Sequence, residues 1–193
     1  NVIMIEQSAK KEFKIVKDSF ARPQNVLIFK GPDIQSIAQV IQQNKDKAIN
    51  TINKTEIKEK QRRIKKSPEK TGQLENKFGI KLTFPTAYRY AKEGDNFMWM
   101  RKEIKNGSME LLAYQIPLNT INEDENTINS IIQVRDSIGK KYIPGPTEGS
   151  YLATDKAYAP YLFETKVAGK FAYEVKGTWD VEGAFMAGPF QML

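Results

Sequence analysis

Seventeen residues, RDSIGKKYIPGPTEGSY at 135–151, restrict the fold more than any other stretch, because they place two prolines and three glycines directly behind an amphipathic helix. Proline fixes φ and lacks an amide donor, while glycine reaches positive φ at no steric cost, so the helix must stop here and the chain must turn rigidly before it extends again. Ahead of this turn, Asn122 followed by Glu125 has the spacing of a capping box, and Ile128, Ile131, Ile132 and Ile138 share one helical face. The acidic first turn of Glu123, Asp124 and Glu125 suits the positive end of the helix dipole, and Gly139 is expected to end the helix. Beyond the turn, residues 150–154, 161–167 and 170–175 read as strands, with reversals at Gly169 and at Glu182-Gly183.

Upstream, residues 1–5 and 26–29 read as strands, and the charged stretch 9–20 is loosely periodic through Phe13, Val16 and Phe20 until Arg22-Pro23 breaks it. Asp33 is a good helix N-cap, and Ile34, Ile37, Ala38, Ile41, Ala48 and Ile52 form a stripe expected to face a core. Ile57 and Ile64 fall roughly on the opposite side of an ideal helix. A kink or break is therefore expected, with a second helix starting at the box Asn53-Lys54-Thr55-Glu56, running to about Lys66 and stopped by Ser67-Pro68. Residues 69–76 read as a polar loop, and 80–84 and 88–91 as short strands on either side of Pro85, followed by a turn at Glu93-Gly94-Asp95. The strongest local signal is a hairpin of 96–104 and 108–116 joined by Lys105-Asn106-Gly107, with Asn-Gly in a type I′ turn. Phe97 and Trp99 alternate with Met98 and Met100, the pattern of a strand buried on both faces. Hairpins outnumber crossovers, so the expected fold class is α+β: a mainly antiparallel sheet with a long, kinked helix and a second amphipathic helix packed on it, forming a single domain over 1–193.

Composition removes much chemistry. The chain holds no histidine and no cysteine, which excludes disulfides, thiolate nucleophiles, zinc ribbons, histidine-led acid–base catalysis and Ser-His-Asp triads. No calcium-loop pattern occurs, so no metal or other cofactor is implied and no catalytic residue stands out. No run of about 18 apolar residues is present. The chain opens inside a strand without methionine and closes on apolar Phe190-Gln191-Met192-Leu193, from which a fragment of a longer precursor is expected.

Three features are candidates for binding. Between Asp33 and Lys70, ten Lys/Arg face five Asp/Glu, giving +5 of the chain's +7, and Arg62, Arg63, Lys65 and Lys66 would anchor an anionic surface. A solvated helix face explains the same charges, and no aromatic residue lies between Phe29 and Phe78 to stack a base, so nucleic acid is an improbable partner. The loop Pro144, Gly145, Pro146, Thr147, Glu148 and Gly149, flanked by Arg135 and Tyr151, is a rigid turn whose amides would suit a ligand, although it lacks a phosphate-loop pattern and also reads as a plain connection with Glu148 paired to Lys140 or Lys141. Trp179 beside glycines would line a groove for a hydrophobic or sugar ligand, or sit in the core. Glu148, Asp155, Glu164, Glu174, Asp180 and Glu182 offer carboxylate pairs of the kind a glycoside hydrolase needs.

RDSIGKKYIPGPTEGSY, the segment YEVKGTWDVEGAFMAGPF at 173–190 and KEGDNFMWMRKE at 92–103 together resemble an uncharacterised family of Gram-negative bacterial envelope lipoproteins known as a domain of unknown function. The resemblance extends over most of the chain and implies a signal peptide and lipidated cysteine ahead of Asn1, a further C-terminal segment and an envelope location on the periplasmic or surface side. The resemblance gives location and little chemistry; with no catalytic motif in the residues, the expected role is a non-enzymatic binding or scaffolding module with an envelope protein, a glycan or an anionic leaflet as partner. The alternative is a carboxylate-based hydrolase of an envelope polymer. A binding module requires an exposed aromatic or apolar patch, whereas a hydrolase requires carboxylates converging in an open cleft.

Overall fold

The computed structural model describes residues 1–193 and has the expected α+β composition. In chain order its elements are β1 (Val2–Gln7), β2 (Glu12–Lys17), β3 (Asn25–Gly31), α1 (Ile34–Ile64), α2 (Gln73–Phe78), β4 (Arg89–Gly94), β5 (Phe97–Ile104), β6 (Gly107–Tyr114), α3 (Thr127–Tyr142), β7 (Tyr151–Thr154), β8 (Tyr161–Val167), β9 (Lys170–Glu182) and β10 (Ala184–Met192). They form three sheets, ordered β1-β3-β2, β4-β5-β6 and β10-β9-β7, with β8 also paired to β9. The chain divides into two compact units, Asn1–Ala91 with Met100–Leu111 and Lys92–Trp99 with Leu112–Leu193.

In the first unit, α1 packs on β3 and β2. Leu27 and Phe29 of β3 meet Val40 and Ala48 of α1, with Phe13, Ile15, Ile41 and Ile52 around them. The Phe13 and Phe29 rings stack 4.7 Å apart. The strand over Glu12–Lys17, absent from the sequence reading, is the antiparallel partner of β3: Phe13 and Ile15 pack toward the helix, and apolar Val16 beside Ile15 interrupts the period-two pattern. Asp33 caps α1 as expected, its Oδ1 accepting from Ser36 N at 2.7 Å.

The expected break in α1 does not occur. The helix runs uninterrupted for 31 residues, so the box at Asn53 is interior. Its sheet-facing side changes character, from Val40 and Ala48 to Thr51 and Thr55, which return hydrogen bonds to Lys47 O and Thr51 O. Thr55 Oγ1 also accepts from Asn25 Nδ2 at 2.5 Å. The stripe continues through Ile52 to polar Thr55, so its aliphatic pattern fades while the helix goes on, and Ile57 is exposed. Ile34, counted on the core stripe, is 86% exposed. The polar loop at 69–76 is likewise corrected: Gln73–Phe78 forms a short helix between Gly72 and Gly79, both at φ 66°, and buries Leu74. Residues 80–84 form no strand; Phe84 is buried there, and Pro68 bridges Pro85.

The hairpin of β5 and β6 stands as read, with Phe97, Met98 and Met100 all fully buried. Gly107 has a positive φ of 148°, but Asn106 does not share it, so the connection is not the expected type I′ turn.

In the second unit, α3 packs on β7 and its sheet. The helix starts at Thr127 and not behind Asn122; Thr127 Oγ1 donates to Asp124 O at 2.6 Å, and Asn122 N donates to Ser130 Oγ at 3.1 Å. It also passes through Gly139 to Tyr142. Thr127, Ile131, Arg135 and Gly139, four apart, form its buried face. Gly139 is there for proximity: a Cβ on it would lie 2.2 Å from the carbonyl oxygen of Leu152. Strand β9 extends seven residues beyond the expected end at Val175 and pairs with β10.

Candidate functional site

Arg135 occupies the buried face of α3, with its side chain 10% exposed. Its Nη1 donates to Thr154 Oγ1 at 2.8 Å and to Asp136 Oδ1 at 3.1 Å. The same Asp136 oxygen accepts from Thr154 N at 2.8 Å and Thr154 Oγ1 at 2.7 Å. The guanidinium carbon lies 4.0 Å from the centre of the Phe190 ring, a close cation–π contact. Burial pulls the Arg135 pKa below its ordinary value, with Asp136 opposing, while burial raises that of Tyr114, whose hydroxyl donates to Met192 Sδ at 3.1 Å. These groups tie α3 to β7 and β10.

The loop over 144–149 is closed on itself. Gly145 N donates to Ser150 O at 2.8 Å, Ser150 N to Thr147 O at 3.1 Å, and Thr147 N to Ser150 Oγ at 3.1 Å. Thr147 Oγ1 reaches Gly183 O at 3.1 Å, so those amides face the loop and its neighbouring turn. Pro144, Pro146, Glu148 and Gly149 are exposed. Lys140 lies over the Tyr151 ring at 5.2 Å and Lys141 over Tyr142 at 4.9 Å. Trp179 is half-buried on β9 between Thr154 and Gly188, and a Cβ on Gly188 would lie 2.9 Å from its Cζ2. Arg135 and Trp179 meet at Thr154, which accepts from the first and pairs with the second, whereas the loop bonds to Gly183.

At the end of α1, Arg62 and Arg63 both donate to Glu59, at 2.7 and 2.9 Å. Those bonds lower the Glu59 pKa to about 2, while Lys65 and Lys66 remain exposed. Because the folded pKa is depressed, the stabilising effect is complete above the ordinary carboxylate range and is lost as pH falls from about 4.5 toward about 2. A carboxyl titration followed by NMR is expected to give a Glu59 midpoint near 2. In the Arg62→Gln/Arg63→Gln variant the midpoint should return to the ordinary range; a wild-type midpoint already there would show that the pairs do not form.

A concave feature not anticipated from the sequence lies along the first half of α3. Asn122, Asn126, Asn129 and Gln133 line a groove of about 630 Å³ with Ile128 and Ile132, and Ala159-Pro160 forms the opposite wall. That volume falls in the range of ligand sites, but Asn122, Asn126, Asn129 and Gln133 are all exposed, so the groove is open and more polar than the mostly apolar lining usual for small-molecule pockets. Ile128 continues into an adjoining groove of about 440 Å³ that is lined by Glu123, Asp124, Glu125 and Glu164 with Leu162 and Tyr173. Positions 126, 129 and 133 are spaced three and four apart, so the sequence carries a carboxamide stripe beside its isoleucine stripe.

No curated protein and no solved structure matches the chain. A family model described as domain of unknown function DUF8532 matches residues 1–65, and a second, domain of unknown function DUF4837, matches residues 67–192, including α3, both grooves and the Gly/Pro loop. Since this second match spans more than half of the sequence, the chain belongs to the DUF4837 family, a family of unknown function.

Proposed function

We propose that the chain is a non-enzymatic binding module of a bacterial envelope lipoprotein, with the groove along α3 as its ligand site. The observation that carries this reading is the carboxamide stripe of Asn126, Asn129 and Gln133 facing an apolar wall in an open groove. Neutral amides offer both donors and acceptors without imposing a charge on the ligand. The Arg135 cluster beneath holds the helix that presents them. An anionic leaflet is a second contact of the same module, supported by the exposed Lys65 and Lys66.

Saturable cosedimentation with isolated Gram-negative envelopes is the test. Replacing Asn126, Asn129 and Gln133 by alanine should weaken it at least tenfold, as expected for the loss of two or three hydrogen bonds worth ~0.5–1.5 kcal/mol each. Equal sedimentation of the variant would remove the groove from the reading.

The hydrolase alternative is favoured by one observation, the carboxylates Glu123, Asp124, Glu125 and Glu164 lining the adjoining groove. It requires release of soluble fragments from the envelope, abolished in Glu125→Gln/Glu164→Gln. Sedimentation without release leaves the binding reading alone.

A further inference from the structure

A second surface lies on the opposite side of the sheet from α3. Thr154 binds Arg135 of α3 and pairs with Trp179, and Gly177 pairs with Phe190 under the same arginine, so this set of alternate positions on β9 faces the helix. Lys176 and Glu174 therefore point the other way, together with their cross-strand partners Tyr161 and Phe163 on β8 and Gln191 on β10.

On this face Tyr161 is 69% and Phe163 46% exposed. Their rings are 6.4 Å apart and within 19° of parallel. Beside them Lys176 Nζ lies 3.0 Å from Glu174 Oε1 and 5.3 Å from the Phe163 ring centre, and Gln191 Nε2 donates to the same Glu174 oxygen at 2.6 Å. Two exposed aromatics thus border a polar triad with no net charge.

We propose that this face binds a neutral polysaccharide, independently of the groove along α3. The C–H faces of pyranose rings pack on the electron-rich faces of Tyr161 and Phe163. Hydroxyl groups both donate and accept, which matches a triad composed of a carboxylate acceptor, an ammonium donor and a carboxamide that does both. Charge decides against the other ligand that exposed rings attract. A single-stranded nucleic acid needs uncompensated cations along its backbone, and the cation of this triad is paired with Glu174.

The test is affinity electrophoresis of the full chain in gels containing laminarin, mannan, xylan or dextran, with polygalacturonate and an oligothymidylate as anionic probes. At least one neutral polysaccharide should retard the protein. Tyr161→Ala/Phe163→Ala should reduce the apparent affinity at least tenfold, while Tyr161→Phe and the groove variant Asn126→Ala/Asn129→Ala/Gln133→Ala should retain it. Circular dichroism of each variant, matched to the wild type, confirms that the fold is kept. The inference fails if no neutral polysaccharide retards the protein, if an anionic probe is retained in preference, if the double alanine variant binds as the wild type does, or if the groove variant loses binding. Envelope cosedimentation separates this from failure of the groove: it survives in the aromatic variant if the α3 groove alone is the binding site.

Discussion

Replacing Gly139 by alanine should lower the melting temperature of the protein by roughly 5 °C, although the substitution lies within a helix where alanine is the better helix former. Two effects oppose each other. Helix propensity favours alanine over glycine by ~1 kcal/mol. Against it, the new Cβ would lie 2.2 Å from the carbonyl oxygen of Leu152 and 3.1 Å from its carbonyl carbon. Those atoms belong to the backbone of β7, so no side-chain rotation relieves the overlap, and α3 must move away from the sheet by about 1 Å. Overpacking of this kind costs about 1–3 kcal/mol, toward the upper end where the obstacle is backbone; less the propensity gain of ~1 kcal/mol, a net loss of roughly 1–2 kcal/mol is expected, and each kcal/mol lowers the midpoint by roughly 3 °C at this size. Leu152 N also donates to Ile143 O at 3.1 Å, a bond that the displacement would lengthen. Lys140→Ala, one position on and exposed, should leave the midpoint nearly unchanged. Thermal unfolding followed by circular dichroism measures both, and a higher midpoint for Gly139→Ala would show that α3 does not approach β7 this closely.

The same glycine shows where sequence reasoning stops. Read locally, Gly139 followed by two lysines is a helix terminator, and only the packing of β7 against α3 reveals that the helix needs a residue without a side chain there. The hairpin of β5 and β6 was legible because Asn-Gly and the alternation of Phe97 to Met100 are local signals. Strand β8 was legible for the same reason. The continuation of α1 past Asn53 was not, because Thr51 and Thr55 satisfy themselves on helix carbonyls and so replace aliphatic residues on the sheet-facing side. Leu74 anchors a helix of six residues whose one other apolar residue is Phe78, too short a pattern to show a helical period. For the site, Arg135 and Trp179 come together at Thr154 while the Gly/Pro loop bonds elsewhere, and the groove is built from carboxamides that carry no motif. Carboxamides have no spacing rule of their own, and only the wall at Ala159-Pro160 turns them into a concave surface.

Arg135 separates packing from charge, and a short substitution series should show that packing dominates. Arg135→Ala is expected to cost about 3 kcal/mol, within the ~2–5 kcal/mol typical of truncating a long buried side chain, because the Phe190 ring loses its cover and Thr154 loses a donor. Arg135→Met should remain within about 1 kcal/mol of the wild type. Methionine fills most of the volume and packs on the Phe190 ring, and it removes the desolvation that burial imposes on the guanidinium. The partner left behind, Asp136, has a side chain 32% exposed and still accepts from Thr154 N and Thr154 Oγ1, so it does not become an isolated buried charge. Arg135→Lys keeps the charge but loses the planar group that stacks on Phe190, and it retains the cost of burying an ion; it should fall between methionine and alanine. Urea unfolding of the four proteins gives the order. Should lysine prove nearly as stable as arginine while methionine is as poor as alanine, the charge itself would be what holds α3 to the sheet, through the charge-assisted bond to Thr154, and burial would shield that bond from salt.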